Sequence, residues 1–141
     1  IQCADAGARK DLRAWPRVIG RFDRISWLQG RVNGWWLWAP CAAWPVRGQD
    51  SYRGPWNAST ANPILVIGTR FDPNTPYANA VRSARLLGNA VLLTLNGYGH
   101  LSFQDPSACI DHARVRYLVD LRAPPRGTVC QPDQPPFATS S

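Results

Sequence analysis

The chain reads as an α/β protein: parallel strands joined by a crossover helix, preceded by a helical and loop-rich segment. Three observations predict this. Two short apolar runs, Ile64–Ile67 and Ala90–Leu95, are bounded by Asn, Pro and Gly, as buried strands are. Between them Tyr77, Ala80, Val81, Ala84 and Leu87 recur at helical spacing, over a length that suits a right-handed parallel crossover. Each run then leads into a short loop carrying a chemically useful residue, Asp72 after the first and His100 after the second. Loops that follow neighbouring parallel strands meet in one crevice, where active sites form.

Taken in order, residues 1–28 predict helix. Leu12, Trp15, Val18, Ile19 and Phe22 give the apolar spacing of an amphipathic helix, and Pro16 marks its start or a break. Residues 29–61 carry five of the seven tryptophans (Trp35, Trp36, Trp38, Trp44, Trp56) among many glycines and prolines. They predict loops with short helical turns, whose rings either line a cleft or pack as a small core. Asn57-Ala58-Ser59 matches the glycosylation sequon, a pattern that is common by chance. The division expected is 1–61 for this helical, Trp-rich segment and 62–141 for the α/β segment.

After the strand at Ile64–Ile67, Asn74 or Thr75 is expected to cap the crossover helix, with Pro76 in its first turn and Gly88 ending it. A further helix is predicted within Gln104–Asp120, opening at the turn Asp105-Pro106-Ser107 and presenting Cys109, Ile110, Ala113, Tyr117 and Leu118 on one side. From Ala123 the chain is proline-rich and expected to be extended, fraying after Phe137.

The 141 residues suit one modest core. Net charge is +7, from 15 arginines and one lysine, but the arginines are scattered. A phosphate-tracking surface should show a basic stripe, so nucleic acid is the least favoured partner. No apolar run is long enough for a membrane span. The absence of methionine implies that the chain does not begin at a start codon. Cys3, Cys41, Cys109 and Cys130 lack CxxC spacing, and only two histidines are present, which argues against zinc. No metal or other cofactor is expected. Wide, even-numbered cysteines suggest two disulfides and an oxidising compartment. Three pairings are possible; Cys3–Cys41 with Cys109–Cys130 is favoured because each ties a flank to itself, and four free thiols are the alternative.

Asp72 and His100 are the candidate catalytic residues. An imidazole titrates near neutrality and suits a base that later acts as acid. An aspartate beside it fixes the tautomer and stabilises the imidazolium. Gly97 and Gly99 would let the backbone turn sharply to bring His100 over the sheet end. Asp72 could instead serve only a turn, as Asp-Pro-Asn often does. Asp105 and Asp111 are weaker substitutes for the acid, and His112, mid-helix, reads as structural.

The chain resembles the C-terminal part of secreted bacterial α/β-hydrolases of the tripeptidyl-aminopeptidase type, which are proline-iminopeptidase-like serine peptidases. The pieces that carry the resemblance are Ile1-Gln-Cys-Ala-Asp5, Cys41-Ala-Ala-Trp44-Pro45, Tyr52-Arg-Gly-Pro-Trp56, and Pro63 to Gly68. They continue with Phe71-Asp72-Pro73-Asn74-Thr75-Pro76-Tyr77, Gly97-Tyr98-Gly99-His100, Ser107-Ala-Cys109-Ile110, Tyr117-Leu118 and Gly127-Thr-Val-Cys130. Their order and spacing together are specific. The resemblance implies that Asp72 is the triad acid, that His100 is the base, and that the first segment comes from the end of the cap. Asn74 departs from the small or apolar residue expected there.

Such enzymes place the nucleophile in a G-x-S-x-G elbow. None of the serines (26, 51, 59, 83, 102, 107, 140, 141) has that setting, and no HGGG-type oxyanion loop is present. Two functions follow as expectations. One is the C-terminal catalytic segment of a secreted serine hydrolase, releasing short peptides from N-termini and acting on peptide or ester substrate once a separate segment supplies the nucleophile. The other is a non-catalytic module whose apolar strands bind a complementary chain or self-associate. Neither predicts triad-dependent turnover by this chain alone.

Overall fold

The computed structural model describes residues 2–5, 11–46 and 48–136; the tail from Phe137 lies outside the described residues. The chain divides into two compact units, Ile1–Tyr52 and Arg53–Ser141.

The first unit is helical. Helix α1 spans Gln2–Asp5, and a 3-10 turn at Leu12–Ala14 leads into α2, Trp15–Ile25. Asp11 caps that turn by accepting from the Arg13 amide at 2.9 Å. Pro16 sits in the first turn of α2, where its missing N–H costs nothing, so it marks a start and not a break. Helix α3 (Gly30–Asn33), a π turn (Gly34–Trp38) and α4 (Pro40–Ala43) follow in close succession, a more helical run than the punctuation of that segment suggests. Gly30 and Gly34 allow the close return: a Cβ on either would strike Phe22 or Ile19 of α2. The small core is Trp15, Ile19 and Ala42, flanked by Val18, Phe22, Trp38 and Ala39. The α2 stripe therefore faces inward as its spacing requires. Of the clustered tryptophans only Trp38 joins this core, while Trp35, Trp36 and Trp44 remain exposed. The Cys3–Cys41 disulfide links α1 to α4.

The second unit is a three-stranded parallel sheet. Strand β1 (Ile64–Thr69) runs into helix α5 (Tyr77–Leu86) and returns as β2 (Ala90–Leu95), paired from Ile64↔Ala90 to Thr69↔Leu95. Helix α6 (Ala108–Asp120) then leads to β3 (Val129–Cys130), which pairs in parallel with the end of β2. The strand order is β1-β2-β3. Sequence patterning reveals two strands; the third is only two residues long and lies in proline-rich surroundings that do not read as a strand.

The core sits where β2 meets α6. Leu93, Leu95, Ile110 and Cys130 are buried there, with Leu65, Ile67 and Ala113 against them. Disulfide Cys109–Cys130 staples α6 to β3. On α6, Ile110 is the buried residue, while Leu118 is exposed. The expectation that the Ile64–Ile67 run is a buried strand is not met: all four are half-buried, because β1 is the edge strand of the described sheet, and only Gly68 and Thr69 beyond them are buried.

Two cap assignments change. Helix α5 begins at Tyr77 with Pro76 just outside it, and no side chain caps it; the amides of Asn74 and Thr75 donate to Asp72 instead. The helix also ends at Leu86, before Gly88, with Leu87 already extended. By contrast α6 opens at Ser107, whose Oγ accepts from the Ile110 amide, and the Asp133 carboxylate accepts from the Ala108 amide.

Candidate active site

The two strand-end loops do meet. Phe71, just past β1, donates its amide to the Gly97 carbonyl just past β2 at 3.0 Å, and the Phe71 and Tyr98 rings stack with centroids 4.9 Å apart. Beside this junction His100 Nδ1 lies 3.0 Å from Asp72 Oδ1 and 3.1 Å from Oδ2.

Asp72 is the more buried partner, with a side chain only 2% exposed against 29% for His100. Burial alone would raise its pKa. Four hydrogen bonds outweigh that. Oδ1 accepts from the Asn74 and Thr75 amides, each at 2.8 Å. Oδ2 accepts from Thr75 Oγ1 at 2.7 Å and the Leu101 amide at 3.0 Å. With the backbone of Thr75 and then of Leu101 contributing most, these donors hold the Asp72 carboxyl well below the usual carboxylate range. The group is a fixed, ionised acceptor aimed at an imidazole.

Local geometry explains how Asp72 does two jobs. Its carboxylate closes an Asx-type turn over Pro73, Asn74 and Thr75, as the Asp-Pro-Asn reading allows, and it faces His100 as well. Asn74 contributes its amide to this turn. Leu101 takes φ 66°, a left-handed conformation unusual for a branched side chain, and so turns its own amide onto Asp72.

Asp111 pairs with Arg114 one turn along α6 and takes no part in the dyad. Asp105 does not serve as the acid either. Its Oδ2 accepts from the amides of Tyr98 at 2.7 Å and Gly99 at 3.3 Å. His112 is exposed on α6. Two of the groups that hold Asp72 escape a reading of the sequence alone, the Thr75 hydroxyl and the Leu101 amide. Thr75 stands three residues after Asp72, a spacing at which a side-chain turn could have suggested it.

A cleft of about 330 Å³ opens beside Asp72. Four consecutive β1 residues, Val66 to Thr69, line it, so it runs along the outer edge of that strand. Thr69 is 4% exposed, and its Oγ1 is buried without a hydrogen-bond partner. Ser83 and Ser102 also line the cleft, but neither stands on a strand-to-helix elbow; Ser83 lies within α5, and Ser102 Oγ accepts from Arg114.

An α/β-hydrolase family model described as "TAP-like protein" matches residues 30–130. The chain belongs to the TAP-like α/β-hydrolase family. Its relatives include carboxylesterase B of Mycobacterium tuberculosis, 32% identical over 134 residues, covering 94% of this chain and 25% of that protein. Tripeptidyl aminopeptidase of Streptomyces lividans is 29% identical over 142 residues, covering 96% of this chain and 25% of that protein. Serine protease Hip1 of M. tuberculosis is 36% identical over 90 residues, covering 64% of this chain and 17% of that protein. This TAP-like chain thus spans about a quarter of the length of the first two relatives. It corresponds to the C-terminal region of a TAP-like α/β-hydrolase.

Proposed function

We propose that this TAP-like chain is the acid–base segment of a serine hydrolase, with Asp72 orienting His100 and the nucleophile supplied by sequence outside these 141 residues. The observation that carries the reading is the His100 Nδ1–Asp72 contact at 3.0 Å, made at the ends of adjacent parallel strands. An ionised Asp72 keeps the proton on Nδ1 and leaves Nε2 free to accept one.

The reaction is acyl transfer. His100 Nε2 takes the proton of a serine hydroxyl as its oxygen bonds to the substrate carbonyl carbon. The C–N or C–O bond breaks as Nε2 returns that proton to the leaving amine or alcohol. Water then repeats the sequence on the acyl-enzyme, releasing the acid and restoring the serine. Relatives carry names of both an esterase and a tripeptidyl aminopeptidase. We take release of short peptides from free N-termini as the natural activity and simple esters as substrates of the same chemistry. Two disulfides support an extracytoplasmic location. We assign the helical unit to the end of the cap.

Purified chain should not turn over a tripeptidyl anilide or a p-nitrophenyl ester. Adding a separately produced upstream segment that carries a G-x-S-x-G elbow should create turnover. Turnover by the chain alone that His100→Ala abolishes would overturn the proposal.

A second reading has its own support. The open edge of β1 and the exposed Val115, Leu118 and Val119 of α6 suit a chain that associates without catalysing. It predicts stable self-association in solution and no gain of turnover on adding the upstream segment.

A further inference from the structure

The loop that presents His100 is held from its far side by a carboxylate that catalysis does not use. Asp105 Oδ2 accepts from two successive amides, Tyr98 at 2.7 Å and Gly99 at 3.3 Å. Two neighbouring N–H groups converging on one anionic oxygen form a small concave seat that favours negative charge. The glycines of Gly97-Tyr98-Gly99-His100 are shaped to this seat. Neither has a positive φ, so conformational freedom does not explain them. Proximity does. A Cβ on Gly97 would overlap the Asp105 carboxylate, and one on Gly99 would lie 3.1 Å from Asp105 Cβ and 3.1 Å from the Gln104 carbonyl carbon. The chain does bend from Gly99 through Leu101, with the left-handed φ taken by Leu101.

The opposite side of the same loop is tied to the acid-bearing strand through the Phe71 amide on the Gly97 carbonyl and the Phe71–Tyr98 stack. Residues 97–99 are therefore gripped from both sides, by Asp105 and by the residue preceding Asp72. Asp105 makes no hydrogen bond to the imidazole, so it acts through the backbone.

We propose that Asp105 is a positioning residue for His100: it seats the Tyr98 and Gly99 amides so that the imidazole meets Asp72 before any nucleophile arrives. This rests on the reading of Asp72 and His100 as a dyad, and the test keeps the two claims separate.

The chain holds only two histidines, which makes imidazole nitrogen NMR direct; exposed His112 on α6 serves as the internal control. In the wild-type chain the His100 nitrogens should report one tautomer, with the proton on Nδ1 and slow to exchange. Asp105→Ala should lose that preference and that protection while His112 and the far-UV spectrum stay unchanged. Asp105→Asn, whose amide oxygen can still accept from both amides, should retain most of the preference. Gly97→Ala, which displaces the carboxylate without removing it, should reproduce the Asp105→Ala result. Wild-type His100 nitrogens in a folded Asp105→Ala chain would overturn the proposal. So would equal loss at His100 and His112 in both Asp105 variants, which would make the residue a general support of the fold. Asp72→Asn, measured alongside, tests the dyad separately: if His100 keeps its tautomer there, the dyad reading fails whatever Asp105 does.

Discussion

At the scale of single residues, Asp72 carries the most physical weight. Four donors face a side chain that is only 2% exposed and hold its pKa below the ordinary carboxylate value in spite of burial. Linkage gives this a pH signature. A carboxyl whose folded pKa lies below its unfolded value, near 3.9, contributes its full stability above that value and loses it as pH falls toward the folded pKa. Asp72→Asn should therefore be less stable than wild type at neutral pH. The gap should hold above about pH 5 and shrink below about pH 4 in denaturant titrations. A gap that persists unchanged to about pH 2 would mean that the Asp72 charge is not what the four donors stabilise. Leu101 gives a second test at this scale. At φ 66° a β-branched side chain is poorly tolerated and glycine is at ease. Leu101→Gly should melt above Leu101→Val by the equivalent of about 1 kcal/mol or more; the reverse order would contradict that backbone geometry.

At the scale of elements, long-period patterns were legible in the sequence and short-range partnerships were not. Strands β1 and β2, helix α5 and helix α6 all announce themselves through apolar period and flanking turn residues, and so does the strand-end placement of Asp72 and His100. Strand β3 does not, because two residues carry no period and Val129–Cys130 becomes a strand only when α6 delivers it beside β2. The reading of Gly97 and Gly99 as turn residues missed their close approach to Asp105, because a contact eight residues after Gly97 leaves no local trace. The capping role given to Asn74 or Thr75 failed because α5 begins only at Tyr77, which leaves Pro76 at the cap position, while the Thr75 amide and hydroxyl donate to Asp72. The cysteines, in contrast, paired as the flank argument favours. The Cys109–Cys130 bridge closes a separation of 21 residues and ties β3 to α6. Loop-closure entropy makes it worth about 3 kcal/mol. A Cys109→Ala/Cys130→Ala chain should lose about that much stability in denaturant titrations, and loss of β3 pairing should leave β2 amides near Thr94 open to hydrogen exchange. Unchanged stability and protection would show that α6 and β3 dock without the staple.

At the scale of the whole molecule, the described sheet has three strands, a free β1 edge and a cleft along that edge next to the acid. A buried Thr69 hydroxyl without a partner stands at the same place. An open strand edge suits being covered, and we propose that sequence outside these 141 residues covers it; the chain spans about a quarter of the length of the first relatives. The dyad at the strand ends needs no such cover to form, because the Phe71–Gly97 bond, the Asp72 turn and the Asp105 seat all lie within this chain. We propose above that Asp72 and His100 are the acid–base half of an active site, and a chimera tests it in place. The most direct measurement replaces the matching quarter of Streptomyces lividans tripeptidyl aminopeptidase with this chain and determines kcat on a tripeptidyl anilide. On that proposal the chimera should work, and its kcat should fall by about 10⁴-fold or more with His100→Ala and by about 10⁴-fold with Asp72→Asn. A folded, active chimera that keeps kcat within about tenfold in either variant would contradict it.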